Sequence, residues 1–106
     1  MLFLILGRDG TDSDAQTRRQ THRPAHLERG SILRERGDLL YGGAMLDDSG
    51  NMIGSVMVVN FPDREKIDLW LKDEPFINGG VWKQVEVLPF RPGPWFVEAA
   101  HSPGAP

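Results

Sequence analysis

Short apolar runs alternate with longer, mostly polar stretches along the chain, and the apolar runs predict four strands. Residues 2–6 are continuously apolar and end at Gly7, a length and flank typical of a buried strand. Residues 39–46 and 52–61 form a second and a third apolar run, and residues 81–90 alternate between apolar and polar side chains. The pattern therefore predicts strands at both ends of the chain and two in its middle.

Turn residues and side-chain alternation indicate how two of these strands are arranged. The stretch Asp-Asp-Ser-Gly-Asn at residues 47–51 is a strong turn signal, so the second and third strands are predicted to form an antiparallel hairpin. In the fourth strand, the odd-numbered Val85 and Val87 are predicted to face one side and Trp82 the other.

Two helices are predicted between the strands. The first spans residues 15–36, has Thr11, Asp12 and Ser13 as candidate N-caps, and stops at Gly37. The second spans residues 64–72, after the dipeptide Pro-Asp. Residues 73–80 are predicted to be a loop, and residues 92–106, which are rich in Pro, Gly and Ala, to be an irregular or disordered tail.

Pro24 interrupts the first helical stretch, because proline removes a backbone donor and clashes with the preceding turn. Either one helix kinks there, or a first helix ends near Gln20 and a second begins with Thr21 or His22 as its cap. The helical spacing assigns one face to His22, His26, Arg29 or Gly30, and Leu33.

The order β-α-β-β-α-β predicts an α+β protein with the ferredoxin-like arrangement, in which two helices cover one face of a four-stranded antiparallel sheet. The strands carry apolar residues on both sides, so the other face needs a cover. Two such sheets packed face to face in a homodimer would supply it. With 106 residues the chain fits one domain, taken here as residues 1–91, followed by the tail at 92–106.

Composition argues against several classes of function and site. The net charge of −3 and the scattered Lys and Arg residues argue against a broad nucleic-acid-binding surface. The absence of cysteine excludes a disulfide framework, a thiolate metal site and a cysteine nucleophile. The apolar start is too short for a signal-peptide core or a spanning helix, so no membrane partner is expected and the default location is cytoplasmic.

Several short motifs, taken together and in this order, resemble the YciI-like family over residues 2–91. The motifs are Leu-Ile-Leu-Gly-Arg-Asp at 4–9, Arg-Pro-Ala-His-Leu at 23–27, Gly-Asp-Leu-Leu-Tyr-Gly-Gly at 37–43, Gly-Ser at 54–55, Trp-Leu at 70–71, Glu-Pro-Phe at 74–76 and Gly-Val-Trp-Lys-Gln-Val-Glu-Val-Leu-Pro-Phe-Arg at 80–91.

The resemblance implies a dimeric α+β barrel with a His–Asp pair in a pocket of each subunit. One activity associated with the family is dehydrochlorination of a chlorinated hydroxyquinol. The family histidine matches His26. The family acid matches Glu74, a glutamate where the family usually has aspartate, and Asp73 precedes it as an alternative. The family Gly-Ser matches Gly54 and Ser55.

A carboxylate bonded to one ring nitrogen of His26 would hold its tautomer and raise the basicity of the other nitrogen. Such a pair of His26 with Glu74 or Asp73 is suited to general acid/base catalysis, of lyase or isomerase type, on a small hydroxylated molecule. Ser55, Gly43 and Phe76 are the candidate substrate-binding residues. The alternatives are a non-catalytic homodimer that binds a small ligand and a structural dimer whose pocket is vestigial.

Other chemistry has weaker support. His22 and His26 are four residues apart but lack a third ligand for zinc, so no metal is expected. Ser55 is not in a nucleophile elbow, and a hydrogen-bonding or small structural role is favoured. The pair Gly42 and Gly43 lacks the surroundings of a phosphate loop and instead indicates a strand bend. Nothing in the sequence calls for a cofactor.

The aromatic residues leave two interpretations open. They either line an aromatic substrate pocket or fill the core and the dimer contact, and the second is favoured for Tyr41, Phe76, Trp82 and Phe90. Trp95 and Phe96 lie in the tail, where they would dock on the partner subunit, cover the pocket or remain loose. Docking is the favoured expectation, because full burial of each is worth roughly 1.5–3 kcal/mol.

Overall fold

The structure, a computed structural model, describes residues 1–96. It contains four strands and three helices, followed by one turn of 3₁₀ helix at Pro94–Phe96. In chain order the elements are β1 (Leu2–Asp9), α1 (Ala15–Glu35), β2 (Leu39–Leu46), β3 (Met52–Asn60), α2 (Arg64–Leu71), α3 (Pro75–Asn78) and β4 (Trp82–Pro89).

The four strands form one antiparallel sheet in the order β2-β3-β1-β4. This order is that of the ferredoxin-like split βαβ arrangement, so the predicted fold class is confirmed. β2 and β3 form the predicted hairpin, and Gly50 in its turn has a φ of 87°, which explains why a glycine stands there.

The core lies between the sheet and the helices, because one face of each central strand is apolar and buried. In β1 the buried residues are Phe3 and Ile5, and they pair with Val59 and Met57 of β3. α1 contributes Leu33 to this layer. The other side chains of this core cluster are Phe61, Ile67, Phe76, Val81, Trp82 and Val87.

The ends of α1 differ in how well they follow the sequence prediction. The helix ends as predicted: Gly37, with a φ of 80°, donates to the Arg34 carbonyl, and Asp38 donates to that of Leu33, which is a Schellman motif. The start does not, because the N-cap is Asp14, without a side-chain cap bond. The candidate cap Asp12 instead uses both carboxylate oxygens to bind Arg18.

α1 is one continuous helix with Pro24 in its interior, so the two-helix alternative with a cap at Thr21 or His22 is wrong. Buried ion pairs tie both halves of the helix to the same side of the protein. Arg19, before Pro24, binds Asp9, and Arg29, after Pro24, binds Glu74. These contacts explain why the cost of an interior proline does not break the helix.

A β-bulge changes the predicted faces of β4. Val85 pairs with Gly7 and Gln84 with Arg8, but the next pairing joins Trp82 to Asp9, so Lys83 has no partner in the register. The bulge turns Trp82 to the same face as Val87, where both are buried. The prediction that Trp82 faces away from the valines is therefore wrong.

The segment predicted as a loop at residues 73–80 contains α3. Glu74 is its N-cap, with a side chain that accepts a hydrogen bond from the Phe76 N–H, and Pro75 occupies the first turn. The correct cap and proline were present in the sequence, but the helix has only four residues and too little periodicity to be detected.

Trp95 and Phe96 are 85% and 59% exposed within the protomer, and neither lines the large groove described below. They therefore do not cover the pocket, while their docking on a partner subunit stays a prediction. The predicted behaviour of residues 97–106, including His101, lies outside the described residues. None of the helices in residues 1–96 has the length and hydropathy needed to cross a membrane.

Candidate active site

A groove of about 680 Å³ runs between α1 and the β2–β3 edge of the sheet. It exists because small residues face each other there: Gly30 on α1, and Gly42 and Ala44 on β2. Its volume falls in the range of small-molecule sites. The residues that supply its polar and aromatic lining are Arg19, Arg23, His26, Ser31, Arg34, Glu35, Tyr41, Ser55 and Phe76.

His26 and Glu74 meet beside this groove, although 48 residues separate them in the sequence. His26 Nδ1 lies 2.7 Å from Glu74 Oε1. The Glu74 side chain is completely buried, and its other oxygen, Oε2, accepts from Arg29 Nη1 at 3.3 Å. Burial of a carboxylate is tolerated here because Arg29, His26 and the N–H of Phe76 all donate to it.

This arrangement selects one tautomer of His26. Glu74 already accepts from Arg29 and from the Phe76 N–H, so its oxygens act as acceptors and the Nδ1–H of His26 is the donor. Nε2 has no hydrogen-bond partner among residues 1–96, yet it is not among the buried atoms without a partner, so it is accessible. His26 lines the groove, and Nε2 is its ring nitrogen without a partner in residues 1–96.

Two aromatic rings hold the imidazole in place. The His26 ring stacks on Phe76, with centroids 4.0 Å apart and an angle of 10° between the planes. Trp82 approaches the imidazole at 5.6 Å with its plane at 77°. The ring therefore has little freedom to rotate away from Glu74.

A second polar network lies on the other side of Phe76. Arg19 is 3% exposed, pairs with the equally buried side chain of Asp9 at 2.9 Å, and lies over the Phe76 ring. Its Nη2 donates to Ser55 Oγ at 2.9 Å, and Trp82 Nε1 donates to the same oxygen at 3.2 Å. Because both lone pairs of Ser55 Oγ are occupied, its own proton is free to donate, and no residue in 1–96 accepts it.

The structure brings together most of the residues selected from the sequence. His26, Ser55, Gly43 and Phe76 line the groove, and Glu74 supports His26 from behind. Asp73 does not join them: it is exposed, and its carboxylate makes no hydrogen bond within residues 1–96.

Neighbouring candidates take other positions. The ring of His22 packs on Gly79 in the turn after α3, and no group of three or more metal-ligating side chains occurs within the described part of the chain. Of the aromatic residues, Tyr41 is 76% exposed and lines the groove, Trp82 belongs to the core, and Phe90 lies outside the groove.

Sequence reasoning missed the arginines that organise this region. Arg19, Arg23 and His26 follow one another at spacings of four and three residues, which is a helical signal that they share a face. The interpretation of the arginine-rich stretch as scattered charge concealed it. The partner of Arg19, Asp9, had no recognisable signal because the strand was expected to end at Leu6.

Comparison with known proteins agrees with this fold. The family model described as YCII-related domain matches residues 1–91. Two relatives, both called Protein YciI, come from Escherichia coli O6:H1 and Shigella flexneri. Each is 34% identical in an alignment of 97 positions, which covers 86% of this chain and 97% of the relative.

Solved structures show the same architecture. The 5-chloro-2-hydroxyhydroquinone dehydrochlorinase from Burkholderia phenoliruptrix AC1100, in complex with 2,5-dihydroxybenzoquinone, superposes with a TM-score of 0.76 at 24% identity, covering 88% of this chain and 96% of that one. An antibiotic biosynthesis monooxygenase has a TM-score of 0.51 at 17% identity, covering 87% and 100%. These two likenesses show the fold, and the family match and the YciI relatives show that the chain belongs to the YCII-related family.

Proposed function

We propose that this protein is a small-molecule enzyme of lyase or isomerase type in which His26 is the general acid/base and Glu74 positions and supports it. The observation that carries the proposal is that the two ring nitrogens of His26 have different surroundings. Nδ1 is bonded to a buried carboxylate, and Nε2 is left accessible in a residue that lines the groove. A neutral histidine in this tautomer can accept a proton through Nε2 near neutral pH.

The proposed chemistry begins with transfer of a substrate proton to Nε2 of His26. The imidazolium that forms lies against the Glu74 carboxylate, which stabilises its charge. The electron pair left on the substrate forms a new double bond while a leaving group departs with its own bonding pair, which is an elimination. If no group leaves, return of the proton from Nε2 to another substrate atom gives an isomerisation.

Ser55 is the proposed donor to the substrate oxygen on which negative charge develops. Its proton has no acceptor within residues 1–96, and its oxygen is held by Arg19 and Trp82, so the hydroxyl needs no reorganisation to donate. Tyr41 supplies aromatic surface to the groove, the buried ring of Phe76 supports the imidazole beneath it, and Gly43 leaves space on the β2 side. A small hydroxylated aromatic molecule fits this combination, and the dehydrochlorinase with a similar fold is named for such a substrate, 5-chloro-2-hydroxyhydroquinone.

We further propose that the working form is a homodimer. The face of the sheet opposite the helices carries a band of aliphatic side chains that the protomer leaves partly or largely exposed: Leu4, Leu6, Val56, Val58 and Leu88. Within residues 1–96 no helix covers this face, because α1 and α2 contribute Leu33 and Ile67 to the opposite side. A second copy would bury the band, and Trp95 and Phe96 could add to the contact.

The test is turnover of a panel of hydroxylated aromatics, including 5-chloro-2-hydroxyhydroquinone, followed by NMR of substrate and product. We expect wild-type turnover, loss of turnover in His26→Ala, and a retained fold in that variant, with a modestly lowered thermal midpoint because the buried Glu74 loses one of its donors. His22→Gln, altered on the same helix but bordering Gly79, is the matched control and should remain active.

Other outcomes would reassign the site. Equal turnover by His26→Ala would exclude His26 as the acid/base, and a collapse of its thermal midpoint would make His26 structural. Binding of panel members without turnover by the wild type would instead favour the non-catalytic ligand-binding homodimer.

A further inference from the structure

Most arginines of α1 are neutralised by a carboxylate. Arg18 pairs with Asp12, Arg19 with Asp9, and Arg29 with Glu74, and the three pairs have N–O distances of 2.7, 2.9 and 3.3 Å. These side chains therefore serve the protein itself, by linking the helix to the loop before it, to β1 and to the N-terminus of α3.

Two arginines of α1 are different, and both line the groove. Arg23 is half-buried and forms no hydrogen bond or ion pair within residues 1–96. Arg34 donates only to the carbonyl of Leu39, which carries no charge. Among residues 1–96, Glu35 is the one carboxylate in the groove lining; it is exposed and pairs with neither arginine, so positive charge from these residues remains in excess.

The groove also contains a hydrogen-bond donor that lacks an acceptor. The Ser55 hydroxyl has both lone pairs occupied, and its proton has no acceptor within residues 1–96. A buried donor without an acceptor is destabilising, so this group is expected to meet one in the working state. Excess positive charge and a free donor both call for a ligand that is negative and carries acceptor oxygens.

We propose that the groove selects substrates that carry a carboxylate, and that Arg23 is the residue that determines this selectivity. Arg23 precedes His26 by three residues, so both lie on one face of α1, with Cβ atoms about 5–6 Å apart. The planar guanidinium matches a carboxylate with two parallel hydrogen bonds. A carboxylate held by Arg23 would place the adjoining ring atoms of the substrate next to Nε2. This inference rests on the proposed function only in that the groove is taken as the substrate site.

The test compares two probes that differ only in the charged group, 2,5-dihydroxybenzoate and 2,5-dihydroxybenzamide, by calorimetry or NMR titration. We expect the benzoate to bind about tenfold or more tightly than the amide. Arg23→Gln should reduce benzoate affinity to that of the amide and leave the amide unchanged, while Arg23→Lys retains part of the preference. Arg91→Gln, an exposed arginine outside the groove, is the control and should behave as wild type.

Equal affinity for the two probes, an unchanged preference in Arg23→Gln with its fold verified by circular dichroism, or no binding of either probe at millimolar concentration would overturn the inference. Repeating the titration in His26→Asn separates it from the proposed chemistry. If His26→Asn still prefers the benzoate and the wild type shows no turnover, the acid/base proposal is wrong and the selectivity proposal stands. If the wild type turns over neutral substrates and shows no preference for the benzoate, the selectivity proposal is wrong and the acid/base proposal stands.

Discussion

The imidazole of His26 lies flat on the ring of Phe76, with centroids 4.0 Å apart and planes 10° from parallel. The N–H of Phe76 donates to Glu74 Oε1, the same oxygen that lies 2.7 Å from His26 Nδ1. The orientation of the histidine therefore depends on α3 twice, through the stack and through the hydrogen bond. Any change to Glu74 should therefore alter both the orientation of the His26 ring and the capping of α3.

Glu74→Gln preserves the shape of the side chain but removes its charge. We expect the free energy of unfolding to fall by about 1–3 kcal/mol, because Arg29 and the Nδ1–H of His26 lose a buried anionic acceptor. We also expect the Nδ1–H tautomer to lose population. Chemical denaturation measures the first effect, and ¹⁵N chemical shifts of the ring nitrogens measure the second.

Asp73→Asn is the matched control for Glu74→Gln, since Asp73 is the neighbouring carboxylate and is exposed. It should leave both stability and the ring nitrogens as in wild type. A tautomer change in Asp73→Asn that is absent from Glu74→Gln would contradict the pairing described above.

Ser55→Ala should destabilise the fold, because Arg19 Nη2 and Trp82 Nε1 both lose their acceptor in a buried position. The expected loss is about 1–3 kcal/mol in the free energy of unfolding, measured with urea. Ser31→Ala, an exposed position at the rim of the same groove, should change stability little. Equal stability of the two variants would show that the Ser55 bonds are not maintained in solution.

Two strand glycines should respond in opposite directions to the same substitution. A methyl group on Gly7 would overlap the indole ring of Trp82, so Gly7→Ala should cost about 1–3 kcal/mol. A methyl group on Gly43 meets no atom within 4 Å, so Gly43→Ala should gain roughly 0.5–1 kcal/mol, since glycine is unfavourable in strands. Thermal unfolding of the two variants measures both changes in stability. An unchanged unfolding temperature in Gly7→Ala would mean that Trp82 does not pack on β1.

The Asp12–Arg18 pair should make stability depend on pH in the acid range. The two hydrogen bonds from Arg18 lower the pKa of Asp12 below its ordinary value. A carboxylate with a depressed pKa in the folded state stabilises the protein above its unfolded-state pKa, and this contribution is lost as the pH falls below about 4.

Asp12→Asn lacks that contribution. The difference between wild type and Asp12→Asn in the urea midpoint should therefore be largest near neutral pH and shrink in acid. The effect should be small and salt-sensitive, because the pair is exposed. A difference that grows on acidification would have the wrong sign for this pair.

The proposed homodimer predicts the effect of a charge on the open face of the sheet. Light scattering at micromolar concentration should give a dimer mass for wild type and a shift toward monomer for Leu6→Lys, because Leu6 lies in the aliphatic band. Leu69→Lys, at an exposed position on α2, should remain dimeric. A monomer mass for wild type would defeat the face-to-face arrangement.

Local chemistry in the sequence was sufficient for the order of the strands and main helices. Apolar runs and turn residues predicted the sheet, Asp63 caps α2 by accepting from the Lys66 N–H, and Gly37 ends α1 with a positive φ. Such signals depend on neighbours within a few residues. They are readable because backbone geometry at a cap or a turn restricts which side chains can stand there.

The motif around His26 and the acid before Pro75 also singled out two residues that lie within hydrogen-bonding distance of each other, but the sequence left the choice between Glu74 and Asp73 open. Only the folded chain distinguishes them. Glu74 is the N-cap of α3, which turns its side chain inward to the Phe76 N–H and His26, whereas Asp73 stays at the surface.

The remaining features of the site were decided by tertiary structure alone. The bulge that turns Trp82 toward Ser55, and the choice of Asp9 as the partner of Arg19, depend on pairings between distant strands and helices. A local sequence pattern does not predict such pairings, because a buried charge is stabilised by whichever opposite charge the fold brings close to it. The sequence by itself thus determined the strands, the main helices and the candidate histidine, and packing determined which groups surround that histidine.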